Sequence, residues 1–382
     1  MRIGSKYGGG GMSSTHRMLL ISTGGSIAGE VAPDRDGVNH TRNAQDFGSL
    51  LGTTFDWLKS RYDVELEMDF EAPFRVDSSN VEPKHWTQLA TIIKDRFDEF
   101  DSFVITHGTN TLGYTCAALS FALANPNKPI ILTGSQVPAE VPGSDGLTNL
   151  QNAIRIAVMK RPNGPSLKGI MAVFGSYIIT GTRVKKSTDF DYDAFISFGT
   201  GSLGRIGRII NINDRNLETH VSYLATKHGN PAIRAADLRF NAEFDTRIAS
   251  LTEFPGMSSD FFKSLVEHND VRGFILRAFG AGDPCDNHRK AFEWLKGREI
   301  PIVVTTQAHN GNSNFQVNEP GKYLRDNELA IPAHDMSIES QTAKLSWLLA
   351  KKAKGQISYT QLCEDMITDM HGEIDVKWEI GK

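Results

Sequence analysis

Three cysteines in 382 residues, Cys116, Cys285 and Cys363, are odd in number and far apart in the chain. That excludes a disulfide framework and offers no thiolate cluster for a structural metal, and it fits a reducing, cytoplasmic setting. An excess of one charge is lacking too. The 41 Lys and Arg against 45 Asp and Glu leave a formal net charge of -4, with both signs mixed throughout, so neither a nucleic acid nor a membrane surface is an expected partner. No stretch is long and apolar enough to span a bilayer. Residues 1–17 are rich in Gly and Ser, lack the apolar centre of a signal peptide, and read as a disordered leader or a cloning remnant.

What is present is an ordinary globular composition, 40% hydrophobic and 23% charged, in a chain long enough for two cored domains. The chain is organised around residues 103–111. Phe103, Val104, Ile105 and Thr106 are an apolar, largely β-branched run that reads as a buried strand. His107, Gly108, Thr109, Asn110 and Thr111 then carry polar groups to its C-terminal end, where open α/β sheets place their chemistry. Gly108 permits the sharp turn, and Thr109 and Thr111 set hydroxyls beside the free amides of a helix start. Alone, such a corner is ordinary turn chemistry. A second one ends the first expected strand, residues 18–22, at Thr23, Gly24, Gly25 and Ser26; its glycine spacing is not that of a dinucleotide-binding loop.

Residues 31–43 carry Asp34, Asp36, Gly37 and Asn39 without periodicity. They are expected to form either a mobile loop over Ser26 or a plain surface loop. Asp77, Ser78, Ser79 and Asn80 precede Pro83, after which Trp86, Leu89, Ile92, Ile93 and Phe97 recur at helical spacing, so Ser78 and Ser79 could be helix caps or ligand contacts. A helix over 112–124 follows the central strand. Further strands are expected at 129–133 and 169–174, with a strand or hairpin at 204–212. Gly134, Ser135, Gln136 and Ser144, Asp145, Gly146 mark polar turns. Lys185 and Lys186 read by themselves as solvated side chains. Residues 214–242, polar and aperiodic, are the candidate linker. Beyond them strands near 248–251, 273–277 and 302–305 alternate with helices, which implies a smaller parallel α/β domain. The expected organisation is a catalytic domain over 18–213, a linker over 214–242 and a second domain over 243–382.

Taken together, Thr23, Gly24, Gly25, Ser26 on one turn and His107, Gly108, Thr109, Asn110, Thr111 on another resemble the two signature motifs of the bacterial-type asparaginase and glutaminase family. Asp77, Ser78, Ser79, Asn80, then Gly134, Ser135, Gln136, and Ala333, His334, Asp335, Met336 with Ala343, Lys344, Leu345 look most like its cytoplasmic type I branch. The resemblance implies a two-domain α/β fold, with a larger N-terminal Rossmann-like mixed sheet and a smaller C-terminal parallel α/β domain. It also implies hydrolysis of the side-chain amide of asparagine or a related small amide through an acyl-enzyme, without a cofactor. Ser26 falls at the nucleophile position, where the family usually has threonine. Either alcohol needs a base, and Thr109, relayed to Lys186, is the implied partner. Backbone amides of the two turns would hold the oxyanion, a contribution of about 3 kcal/mol per donor. Ser78 and Ser79, beside Asp77, are implied to bind the substrate's α-carboxylate and α-amino group. A homodimer or homotetramer with shared active sites is implied as well, with Asp283, in Gly280, Ala281, Gly282, Asp283, at the position that reaches a neighbour's site.

The sequence departs from that pattern in ways that bear on mechanism. Asn110 stands where the family has an aspartate that touches both the lysine and the substrate's ammonium. Losing that carboxylate either lets Lys186 give up its proton more easily and serve as the base, or weakens the relay. Asp283 stands where asparagine is usual, so the two changes are either an exchange that keeps one carboxylate near the substrate or two independent drifts in a degenerate copy. No tyrosine occurs between Ile27 and Asp56 to orient the nucleophile. Thr306, Gln307, Ala308 lack the cysteine of the regulatory asparagine site of some type I members, so allosteric control by asparagine is not expected. Two other functions compete: a sensor or binding protein that kept the pocket and lost turnover, and a component of a transfer-RNA amidotransferase with the same core. The short leader and the negative net charge disfavour the latter.

Overall fold

The computed structural model describes residues 14–24, 30–31, 38–39, 44–139, 141–161, 166–226, 238–309 and 311–375. The N-terminal part runs β1 (Ser14–Ser22), a small antiparallel pair of β2 (Glu30–Val31) and β3 (Val38–Asn39), α1 (Ala44–Tyr62), β4 (Val64–Glu71), α2 (Pro83–Asp95), β5 (Ser102–Thr106), α3 (Leu112–Ala122), β6 (Leu123–Ala124), β7 (Pro129–Thr133), α4 (Gly146–Ala157), β8 (Gly169–Phe174) and β9 (Tyr177–Thr180). It continues through β10 (Val184–Lys186), β11 (Phe195–Ser197), β12 (Gly204–Ile206) and β13 (Ile210–Ile212). Eight strands form one sheet in the order β13-β12-β9-β8-β7-β5-β1-β4. The run from β4 to β8 is parallel and the remainder antiparallel, which is the mixed sheet expected.

The period of two decides the layers. Leu19, Ile21, Phe103 and Ile105 face one side, against α2 and α3. Met18, Leu20 and Val104 face the other, against α1 and α4. Because β1 lies between β4 and β5, the chain leaves β1 toward one edge and leaves β5 toward the other. This reversal of strand order opens a crevice at the carboxyl ends of β1 and β5, where the Thr23 and His107 corners lie.

The second part runs α5 (Asp214–Thr226), β14 (Arg239–Phe240, paired with β6), β15 (Ile248–Thr252), α6 (Asp260–Asn269), β16 (Gly273–Ala278), α7 (Arg289–Lys296), β17 (Ile302–Thr306), α8 (Glu319–Asp326), β18 (Ile331–Pro332), α9 (Ile338–Ala353) and α10 (Tyr359–Ile367). Strands β15 to β18 form the expected four-stranded parallel sheet. A shared core of Trp86, Ala117, Ala118 and Phe121 with Ile275, Leu345, Trp347 and Leu348 joins the two parts. No described helix is long and apolar enough to cross a membrane.

Several expectations change. The first strand starts at Ser14 and not at residue 18, because β4 supplies backbone partners from Val64 onward for Ser14 to Arg17. Within the stretch expected to be a linker, α5 is a helix: the Asn213 side chain accepts the Asn216 N–H at 3.2 Å, and Leu217 and His220 are buried. A single narrow apolar stripe on a polar helix gives little periodicity to read. Within the expected loop over 31–43 the described residues form the β2–β3 pair, and the others lie outside the described residues.

One buried ion pair ties the C-terminal segment to α9. Lys344 Nζ donates to Glu373 Oε1 at 2.6 Å and to the Thr368 carbonyl at 2.5 Å, and both side chains are fully buried. Burial alone would raise the Glu373 pKa, but Lys344, His371 and the Met370 amide together outweigh it and hold the carboxyl well below its usual value of 4.5. Replacing Lys344 by Met leaves a buried carboxylate unpaired, so urea unfolding at pH 7 is expected to show a loss of roughly 3–5 kcal/mol. The group's depressed pKa contributes stability that is present above pH 4.5 and lost as pH falls below it. The gap between variant and wild type should therefore narrow in acid.

Candidate active site

The end of β1 is fastened on both sides. Thr23 donates from its backbone N–H and its hydroxyl to the Thr106 carbonyl, at 3.1 and 3.0 Å, and the Val76 N–H donates to the Thr23 carbonyl at 3.2 Å. Gly24 has φ +102°, and a Cβ there would sit 2.8 Å from the Val76 carbonyl oxygen, so only glycine fits both the conformation and the space. The chain thus leaves β1 between the end of β5 and the segment that becomes Asp77 and Ser78. Gly25 and Ser26 lie outside the described residues.

Facing that corner, Asp77 Oδ1 accepts the Ser79 N–H at 2.7 Å and closes a 3-10 turn over Ser78–Asn80. The α2 cap is Glu82, whose N–H donates to His85 Nδ1 at 2.8 Å. Ser78 and Ser79 are therefore not the caps of α2, and their hydroxyls are turned to the corner after β5. The Asn110 N–H donates to Ser78 Oγ at 3.2 Å, and the Thr111 hydroxyl donates to the Ser78 carbonyl at 2.7 Å. A Cβ on Gly108 would lie 2.6 Å from Ser78 Oγ.

Lys186 reaches the same group from β10. Its Nζ donates to Thr109 Oγ1 at 2.9 Å and to Asn110 Oδ1 at 3.1 Å, and Asn110 Nδ2 donates to Ser79 Oγ at 2.9 Å. The amine can only donate to the side-chain oxygen, which fixes the orientation of the Asn110 amide. Partial burial lowers the Lys186 pKa below its ordinary value, while Asp189 acts in the opposite direction. Held against the Thr109 hydroxyl, the amine can receive a proton from it only once it has lost its own.

Of the other sequence-predicted residues, Asp77 joins this group through Ser79. Asp283 is not brought to it within one chain. It sits after β16, where its Oδ2 accepts Asn318 Nδ2 at 2.6 Å and the Ala281 N–H at 3.3 Å. Among the described residues no group of three or more His, Cys, Asp or Glu is placed to hold a metal ion.

A family model described as "Asparaginase, N-terminal" matches residues 17–218, and a second, "Glutaminase/Asparaginase C-terminal domain", matches residues 247–358. The chain belongs to the asparaginase family. Members of this family are amidohydrolases acting on linear amides. The chain is 31% identical over 335 residues to an L-asparaginase of Thermococcus kodakarensis, covering 87% of this chain and 92% of that protein. It is 34% identical over 285 residues to L-asparaginase 1 of Escherichia coli, covering 72% and 77%. It is 28% identical over 364 residues to a glutamyl-tRNA(Gln) amidotransferase component of Saccharolobus solfataricus, covering 93% and 76%. Among solved structures, the Thermococcus kodakarensis L-asparaginase superposes with a TM-score of 0.76 at 28% identity, over 94% of this chain and 99% of that one. L-asparaginase I of Vibrio cholerae superposes with a TM-score of 0.78 at 26% identity, over 95% and 100%.

In this asparaginase-family chain two supporting sets escape the sequence reading. His107 is fully buried and burial pushes its pKa down to about 4, so it is neutral. Its Nδ1–H donates to the Gly108 carbonyl at 2.8 Å, leaving Nε2 to accept the Thr115 hydroxyl at 2.9 Å, and Trp86 Nε1 donates to Thr115 at 3.1 Å. This chain of bonds fixes the peptide just before Thr109. Asp145 accepts the N–H groups of Gln136 and Val137 at 3.0 Å and Asn149 Nδ2 at 2.9 Å, and so shapes the turn after β7. Gly134 in that turn passes so close to β5 that a Cβ would meet the His107 carbonyl at 2.4 Å. Replacing Gly108 by Ala forces Ser78 aside; differential scanning calorimetry should show a loss of about 1–3 kcal/mol.

Proposed function

We propose that the protein is an asparaginase-like amidohydrolase that cleaves the side-chain amide of L-asparagine or a related small amide, with Ser26 as nucleophile. The observation that carries this reading is the Lys186 amine 2.9 Å from the Thr109 hydroxyl, at the crevice where the chain leaves β1 toward Ser26. In the proposed sequence Ser26 Oγ attacks the amide carbon while its proton passes through Thr109 to Lys186. The C–N bond breaks, ammonia leaves with a proton, and water then hydrolyses the ester. Backbone amides of the two corners take the oxyanion. Asn110 aligns the lysine, and Ser78 and Ser79, with Asp77 behind them, receive the α-substituents of the substrate. Asp283 closes the site of a neighbouring copy in a cytoplasmic homodimer or homotetramer. The relatives named L-asparaginase support hydrolysis. The Saccharolobus amidotransferase component shares much of the chain, but a net charge of -4 gives no attraction for a transfer-RNA backbone, which favours a free amide.

Ammonia release from purified protein incubated with L-asparagine tests the reading. Ser26→Ala is expected to lower it by roughly a thousandfold or more while ligand-induced thermal stabilisation persists. Stabilisation of the wild type by asparagine with no ammonia at all would support the binding-protein reading instead.

The pH profile carries a second prediction. If Lys186 receives the proton, kcat/KM rises with pH through the Lys186 pKa, which lies below the ordinary 10.5, and levels off above it. Asn110→Asp puts a carboxylate beside the amine, favours its charged form, and should move that rise to higher pH. An unmoved rise in this variant would assign the titration to another group.

A further inference from the structure

We propose that Glu253, buried beneath the loop that follows β16, is a positioning residue for the reaction: it fixes the exit of that loop and so aims the Asp283 carboxylate. The proposal rests on the hydrolase reading, in which Asp283 serves the site of a neighbouring copy, and adds what holds that side chain ready.

Asp283 sits on the stretch from Phe279 to Cys285. Its backbone is turned by Gly280 at φ +48° and Gly282 at φ +90°, and glycines give such a loop little stiffness of its own. The entry is tied: the Thr306 hydroxyl donates to the Gly280 carbonyl at 2.6 Å, and the Asp283 N–H donates to the Phe279 carbonyl at 2.8 Å. The exit is tied by a side chain, because the Cys285 N–H donates to Glu253 Oε1 at 2.8 Å. Asp283 lies between the two ties, and Asn318 Nδ2, donating to its Oδ2 at 2.6 Å, sets the direction of the carboxylate. The anchor itself is stiff. Glu253 directly follows β15, its N–H donates to the Arg277 carbonyl at 3.0 Å, and Gln307 Nε2 donates to the Glu253 and Arg277 carbonyls at 2.7 and 2.9 Å. The ends of β15, β16 and β17 are thereby stitched together where the loop begins.

Packing alone does not call for a carboxylate here. Glu253 is 2% exposed and His288, beside it, is wholly buried, with the Phe262 ring 5.3 Å from the imidazole. His288 Nε2 stands 3.2 Å from Glu253 Oε1, and among the described residues Oε2 has no hydrogen-bond partner. A carboxylate kept from water with one oxygen unanswered is costly. An apolar side chain of similar volume would serve the core at least as well. What it cannot do is accept the Cys285 N–H, and that bond is the one through which Glu253 reaches the loop bearing Asp283.

The test uses the full chain and reads two quantities, kcat/KM for ammonia release from L-asparagine and amide hydrogen exchange over residues 279–286. Glu253→Leu removes the acceptor. Cys285→Pro removes the donor at an exposed position whose φ of −62° proline shares, and it stands in if the first variant does not fold. Each should speed exchange in the loop by about tenfold or more and lower kcat/KM by about ten- to a hundredfold. Glu253→Gln, whose side-chain carbonyl still accepts the Cys285 N–H, should stay within about threefold of wild type in both. Because Glu253 acts through Asp283, neither Glu253→Leu nor Cys285→Pro should cost more than about a further twofold in an Asp283→Ala background. An equal cost in both backgrounds makes Glu253 a merely structural residue and overturns the proposal. Faster exchange with kcat/KM unchanged overturns it as well, and so does exchange that stays at the wild-type rate, whatever the activity shows. If the wild type releases no ammonia the hydrolase reading fails by itself, and the exchange rates still uphold or overturn the hold of Glu253 on the loop.

Discussion

The approach of the Gly108 backbone to Ser78 governs the geometry of the crevice. With a Cβ position only 2.6 Å from Ser78 Oγ, the corner after β5 and the turn at Asp77 touch with no side chain between them. That contact lets the Asn110 N–H reach Ser78 Oγ and the Thr111 hydroxyl reach the Ser78 carbonyl. Asn110 is then placed so that its amide spans from Ser79 to Lys186. Push the two segments apart by the width of a methyl group and the whole set of bonds lengthens together. The neutral His107 works to the same end from below, since its bond to the Gly108 carbonyl holds the peptide that precedes Thr109.

The electrostatic character follows from one neutral side chain. At hydrogen-bond distance Lys186 has a hydroxyl and a carboxamide, neither of which carries charge to hold its proton. Burial then lowers its pKa, and Asp189 restores only part of the loss. The strand's alternation sends the adjacent Lys185 the other way. It lies over the Phe198 ring at 4.2 Å; burial lowers its pKa too, while Glu339 acts to raise it. Two neighbouring lysines thus have different roles because a β-strand shows successive side chains to opposite faces.

Sequence patterning exposes the frame of this protein more readily than its supports. The strands at Pro129–Thr133 and Gly169–Phe174 have the bounds expected of them, since fully buried parallel strands are short apolar runs with glycine or proline at their ends. Strand β4 escapes such a reading although Val64, Leu66, Met68 and Phe70 alternate strictly, and so does α4 although Leu150, Ala153, Ile154 and Ala157 recur on one helical face. Both signals are present in the residues, since the polar opposite face is part of each pattern. The Thr109–Lys186 meeting could be anticipated only through resemblance, because Asn110 and its lysine are 76 positions apart in the chain and no local rule bridges that distance. The Asp145 turn brace and the Trp86–Thr115–His107 chain are contacts across elements, invisible to any periodicity.

The smaller domain has a part in holding the strand that carries Lys186. Three residues before Lys186 lies Arg183, almost wholly buried, whose guanidinium donates to Asp335 Oδ2 at 2.9 Å, to the Asp335 carbonyl at 3.1 Å and to the Gly372 carbonyl at 2.6 Å. Thr182 donates to the His371 carbonyl at 3.0 Å, and its own carbonyl accepts the Ser340 hydroxyl. The C-terminal segment that supplies these carbonyls is in turn held to α9 by Lys344 and Glu373. A short strand such as β10, paired among the described residues with β11 alone, has little of its own to fix a long flexible side chain. A charge buried at its root, which cannot leave its partners without a cost of several kcal/mol, about 3–5 by analogy with other buried pairs, gives it a rigid base. Lys186 is therefore held by contacts from both domains, and the side-chain group at the ends of β1 and β5 depends on the whole two-domain chain.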